Sequence, residues 1–127
     1  MNGPLLLTYN LDRNTDARLR VLCKRLNIRV RAVEKGEYAL PIGTLAGIPV
    51  REAGESAPES AFSERMLVMC GFLNPQLNAF LQGFRTEGIP RVELKAILTP
   101  TNVTWNSVQL HDELSREHAE IQMRHQK

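Results

Sequence analysis

Hydrophobic positions along the chain fall into short blocks of two kinds. Leu5-Leu6-Leu7-Thr8-Tyr9 and Arg65–Cys70 are continuous apolar runs, as expected of strands covered on both faces. Ile28–Val33 and Val92–Thr99 alternate, as expected of edge strands with one solvated face. Between them lie helical stripes at i, i+3, i+4, i+7: Leu19, Leu22, Cys23 and Leu26 in a helix over about 14–27, and Leu77, Phe80, Leu81 and Phe84 in a second. Asp12, Asn14 and Thr15 are candidate caps for the first. Asn74 and Pro75 open the second, and Gly88 and Pro90 close it. Pro41 starts a short helix through Leu45, stopped near Gly47 and Pro49. A last helix is read from about Thr104 to Met123, with Leu110, Leu114 and Ile121 on one side and Trp105 and Val108 directed elsewhere.

The two halves echo each other as strand, tight turn, amphipathic helix, strand, although their residue identities differ. Two βαβ units follow from that pattern. The fully apolar strands take the centre and the alternating strands the edges, giving a four-stranded, mostly parallel α/β sheet in order 2-1-3-4. Right-handed crossovers then place the first two long helices on opposite faces. The alternative is a ferredoxin-like α+β sheet with both helices on one face and the last helix over the other. Residues 1–127 read as a single domain, with a mobile loop at about 51–63 where no apolar period is present.

Composition adds little chemistry. The formal charge of +2 conceals net +5 over residues 1–35 and net −3 over residues 36–127. Such asymmetry marks either a surface for acidic partners or two parts of one protein attracting each other. Nucleic-acid binding through Arg18, Arg25, Arg29 and Arg31 is disfavoured, because no aromatic side chain is interleaved between Asp12 and Glu37. No segment is long and apolar enough for a membrane helix, and the N-terminus reads as carrying no secretion signal. Cys23 and Cys70 read as buried free thiols of a cytoplasmic protein.

In the parallel arrangement the turns after the first, third and fourth strands share one sheet edge, where open α/β sheets bind ligands. Tyr9, Asn10, Cys70, Gly71, Thr99, Thr101 and Asn102 are therefore the candidate ligand-binding set. The hydroxyls and amide of Thr99–Asn102 precede a helix N-terminus, which favours an anion, although the same residue types serve as ordinary caps. Cys70 ends a strand ahead of a helix, where a thiolate nucleophile can be exposed. A phosphatase loop, however, needs an Arg six residues on, and position 76 is Gln76. His111, His118 and His125 recur at i+7, about 10 Å apart along a helix axis, which is too far to share an ion. No cofactor motif is present.

The turns Tyr9-Asn10-Leu11 and Cys70-Gly71-Phe72, with Thr99-Pro100-Thr101-Asn102-Val103-Thr104-Trp105 ahead of an acidic helix, resemble a family of small bacterial proteins known only as a domain of unknown function. Asn10-Leu11 departs from that family's Gly-Phe. The resemblance extends over most of the chain apart from the 51–63 loop. It implies a bacterial, cytoplasmic protein and brings no activity with it. Three functions are weighed. The favoured one is a non-catalytic binding or regulatory module for a partner protein or small anionic ligand, a homodimer being compatible with it. The others are a small enzyme using Cys70 and a nucleic-acid binder.

Overall fold

The structure, a computed structural model, describes residues 3–50 and 62–125, the last four of these by backbone alone. Most of the 51–63 loop, and the side chain of His125, therefore lie outside the described residues. The elements are β1 (Leu5–Tyr9), α1 (Arg13–Arg25), β2 (Arg29–Ala32), α2 (Ile42–Leu45), β3 (Met66–Cys70), α3 (Asn74–Thr86), β4 (Leu94–Ile97) and α4 (Ser107–His125). Each continuous apolar run forms a strand, Leu5–Tyr9 and Met66–Cys70, with every strand residue buried, and each alternating run is a partly exposed edge.

Local chemistry explains the element ends. The Asp12 carboxylate accepts from the Thr15 N–H at 3.2 Å and caps α1. At α3 the cap position is Leu73 rather than Asn74, which is already helical. The Gln76 side chain closes that end by accepting from the Leu73 N–H at 3.0 Å. Gly88, at φ +64°, takes the left-handed conformation that stops the helix. The last helix begins later than the sequence suggests, because Asn102–Thr104 forms a separate 3-10 turn. Asn106 and Gln109 then cap α4 reciprocally, at 3.0 and 2.8 Å.

The sheet has the order β2-β1-β3-β4. β1 pairs parallel with β2, and β3 parallel with β4. The central pair is antiparallel, with Leu5 opposite Cys70 and Tyr9 opposite Met66. The sheet is therefore mixed, and the expectation that β1 and β3 run in the same direction is corrected.

One consequence is geometric. Two right-handed βαβ units set antiparallel are related by a two-fold axis perpendicular to the sheet, and such an axis keeps both crossover helices on one face. Accordingly α1 and α3 lie together. Leu19, Leu22, Cys23 and Phe80 pack with Leu6, Leu67 and Met69 of the sheet. This placement follows the ferredoxin-like alternative, not the opposite faces expected of a parallel sheet.

The other face of β1 and β3 is covered by Ile42 and Leu45 of α2, by Val108 and Leu110 of α4, and by Tyr38 and Phe62. Trp105 and Leu114 pack against this second core, whereas Ile121 is exposed. Val92 belongs to the first core, away from Leu94 and Ala96.

Gly83 is the point of closest approach between α3 and α1. A Cβ there would lie 2.5 Å from Leu22 Cδ1 and 2.7 Å from Cδ2, and Leu22 is itself buried. We expect Gly83→Val to cost on the order of 2–3 kcal/mol by overpacking. Gly36→Ala, where nothing lies within 4 Å, should change stability by less than about 1 kcal/mol. Urea unfolding of both variants checks this, and equal midpoints would contradict the shared-face packing.

Candidate functional site

The antiparallel centre divides the expected ligand-binding set. Tyr9 and Asn10 follow the C-terminal end of β1, next to Met66 at the start of β3. Cys70 and Gly71 lie at the opposite end of the sheet, with Thr99, Thr101 and Asn102 following β4 on that same side. The seven residues do not surround one crevice.

Most of their polar atoms already have partners. The Tyr9 hydroxyl is 2.7 Å from Ser107 Oγ, with both residues fully buried. Burial pushes the phenol well above its ordinary value, with the Ser107 hydrogen bond acting in the opposite sense. Asn10, at φ +59°, donates through Nδ2 to the Phe62 and Glu64 carbonyls at 2.9 and 3.0 Å and accepts from the Tyr38 hydroxyl at 3.3 Å. The Asn102 side chain accepts from the Thr99 N–H at 2.9 Å and donates to the Ile97 carbonyl at 3.1 Å, while Thr99 Oγ1 accepts from the Asn102 N–H. These amides hold turns, and Thr101 is exposed beside them.

Cys70 is 5% exposed, and burial pushes its thiol up to about 12. Its sulfur is within 3.9 Å of the Val68 carbonyl, which stabilises a thiol rather than a thiolate. Cys70 and Gly71 line a cleft of about 410 Å³ with Leu5, Gly47, Ile48, Leu98 and the charged Arg29.

The basic residues of the first half are largely occupied within the fold. Arg25 pairs with Glu87, Arg18 donates to the Glu87 carbonyl at 3.2 Å, and Arg31 bonds Glu37 at 2.6 Å and the Leu45 carbonyl at 2.8 Å. Part of the charge asymmetry thus serves attraction between the two halves.

At the β1 end, aromatic rings stack in series. Tyr38 lies 4.6 Å from Phe62, and Phe62 lies 4.1 Å from the His111 ring. His111 Nε2 is 2.9 Å from Glu64, and His118 Nε2 is 3.0 Å from Glu93. Among the described residues, no group of three or more His, Cys, Asp or Glu side chains is placed to hold a metal ion.

Sequence reasoning missed a groove between α3 and β4. It measures about 490 Å³ and is lined by Leu81, Phe84 and Ile89 with Arg85, Arg91 and Lys95. The helix spacing places Leu81, Phe84 and Arg85 on one side, and the β4 alternation directs Lys95 to the same face. Among the described residues no carboxylate lines the groove and none of the three cations forms an ion pair, while the Lys95 ammonium donates to the Val92 carbonyl at 2.5 Å. Burial holds the Lys95 ammonium below its ordinary value, and neighbouring Arg91 adds to this, with Glu93 opposing. Glu93 itself is bonded to His118. The signal was present in the β4 alternation, which sets Lys95 and Ile97 on the face opposite Leu94 and Ala96. It was hidden by the net negative charge of residues 36–127.

The fold defines a small α/β domain with a mixed four-stranded sheet and a C-terminal helix. Residues 65–121 are similar to a family described as a domain of unknown function (DUF3783), a stretch from the residue before β3 into α4 that includes the whole α3–β4 groove. No curated protein and no solved structure matches the chain. Among the described residues, no helix is long and apolar enough to cross a membrane.

Cys23 and Cys70 both bind their proton more tightly when folded, each pushed from 9.0 to about 12. Above pH 9 the unfolded chain therefore loses protons that the folded chain keeps, so stability falls as pH rises from 9 toward 12. Each thiol contributes a slope of at most about 1.4 kcal/mol per pH unit. Urea titrations across that range should show the fall, with a shallower slope for Cys70→Ala; a flat profile would contradict the assignment. At pH 8, iodoacetamide should modify both thiols of the native protein at least about 100-fold more slowly than those of the urea-unfolded chain.

Proposed function

We propose that the protein is a non-catalytic binding module whose ligand is acidic and partly apolar, and that the groove between α3 and β4 is where the ligand sits. The observation that carries this reading is the meeting of Arg85, Arg91 and Lys95, with no carboxylate among the described lining residues, around the apolar Leu81, Phe84 and Ile89. Like charges gathered on a partly desolvated surface cost stability in the free protein. An anion placed among them reverses that cost, and the apolar floor adds burial.

A binding role also accords with the state of the other candidates. The Cys70 thiol is buried, with its pKa raised, and the described residues of the cleft beside it include no His, Asp or Glu. Of the arginines considered for nucleic acid, Arg18, Arg25 and Arg31 are engaged within the fold. A cytoplasmic setting belongs to the same reading and is supported by two free, buried cysteines.

Octyl phosphate is a suitable probe because it combines an anionic head with an apolar tail. At ten times its dissociation constant it should stabilise the protein by about 1.4 kcal/mol, a rise of several degrees in melting temperature. The shift should shrink between low and moderate salt and vanish in the double variant Arg85→Glu, Lys95→Glu. No saturable shift, or an equal shift in the variant, would overturn the reading.

A further inference from the structure

β4 is an edge strand, and its backbone shows which groups remain open among the described residues. The Leu98 N–H bonds to the Met69 carbonyl at 2.9 Å. In a parallel ladder this turns the N–H and C=O groups of Leu94, Ala96 and Leu98 toward β3 and those of Lys95 and Ile97 toward the open side. The Ile97 carbonyl is taken by Asn102 Nδ2 at 3.1 Å. The Lys95 N–H, the Lys95 C=O and the Ile97 N–H therefore face outward along the rim of the groove.

The side chains on that rim alternate in chemistry. Lys95 and Ile97 project to the α3 face, and Ile97 is 45% exposed. Leu81, 39% exposed, and Phe84 continue the apolar surface, with Arg85 and Arg91 beside them. The other edge of the sheet differs. The depression beside β2 is lined by Arg13, Arg20 and a carboxylate, Asp16, which pairs with Arg20 at 3.0 Å.

We propose that the occupant of the α3–β4 groove is an extended acidic segment of a partner protein, added to β4 as a fifth strand. This rests on the reading of the groove as an acidic-ligand site and adds to it the ligand's main-chain pairing. A strand lying against β4 presents alternate side chains to the α3 face. An acidic residue then lies opposite Lys95, within reach of Arg91, and an apolar residue lies opposite Ile97. The outward backbone groups of Lys95 and Ile97 supply the ladder, and charge selects the sequence that uses it. The shortness of β4, with four residues, and its Lys limit indiscriminate edge pairing.

The test uses the full chain and a short capped peptide in which Thr alternates with Glu, Leu and Glu on one face. A second peptide is N-methylated at alternate residues so that it cannot complete a ladder, and octyl phosphate serves as a third probe. The first peptide is expected to bind and to slow hydrogen exchange at the Lys95 and Ile97 amides at least tenfold. N-methylation should weaken binding at least tenfold, and Arg85→Glu with Lys95→Glu should abolish it. Equal binding of the two peptides would overturn strand addition while leaving the acidic groove in place. So would binding of octyl phosphate by a protein that ignores the first peptide. Failure of all three probes would overturn both the strand and the groove.

Discussion

The antiparallel pairing of β1 with β3 is the constraint from which the remaining arrangement follows. Both strands are buried along their whole length, so their mutual register fixes the centre of two cores at once. Reversing one βαβ unit against the other brings both crossover helices to one face, where Leu22 settles over Gly83. It also leaves the second face of the same strands for α2, α4 and the Tyr38–Phe62 stack to cover. A parallel centre would have placed one helix on each side and gathered the strand ends differently.

That constraint also separates structural polar residues from residues free to bind. Tyr9 and Ser107 satisfy each other where α4 meets the sheet. Asn10 bridges the end of β1 to the approach to β3, and Asn102 closes the turn after β4. Buried polar groups of this kind are costly to leave unpaired, which accounts for their use as clamps. The cations at the α3–β4 groove are the opposite case: among the described residues none of the three forms an ion pair, although Lys95 donates to the Val92 carbonyl, and they sit on a surface with apolar neighbours.

Much of the fold could be read from the chain because local signals agreed with the tertiary outcome. Apolar runs became central strands, alternating runs became edges, the Leu77/Phe80/Leu81/Phe84 stripe became α3, and the strand order came out as expected. Strand direction could not be read in that way. A strand apolar on both faces satisfies either orientation, and the choice depends on the connection between β2 and β3, where residues 38–48 are tied to the start of α4 and the residues before it through Ile42–Trp105 and Ser107–Tyr38 bonds. The expected crevice did not form for the same reason, since Tyr9 and Cys70 share an edge only if the strands are parallel. The groove escaped notice because Arg85, Arg91 and Lys95 belong to a helix end, a connection and a strand, and meet only once α3 has folded back beside β4.

The direction of the central pair is open to direct measurement by nuclear Overhauser contacts between backbone protons of β1 and β3. The antiparallel register requires cross-strand contacts linking Tyr9 with Met66, Leu7 with Val68 and Leu5 with Cys70. Contacts linking Leu5 with Met66 and Tyr9 with Cys70 would instead establish a parallel centre and contradict the account.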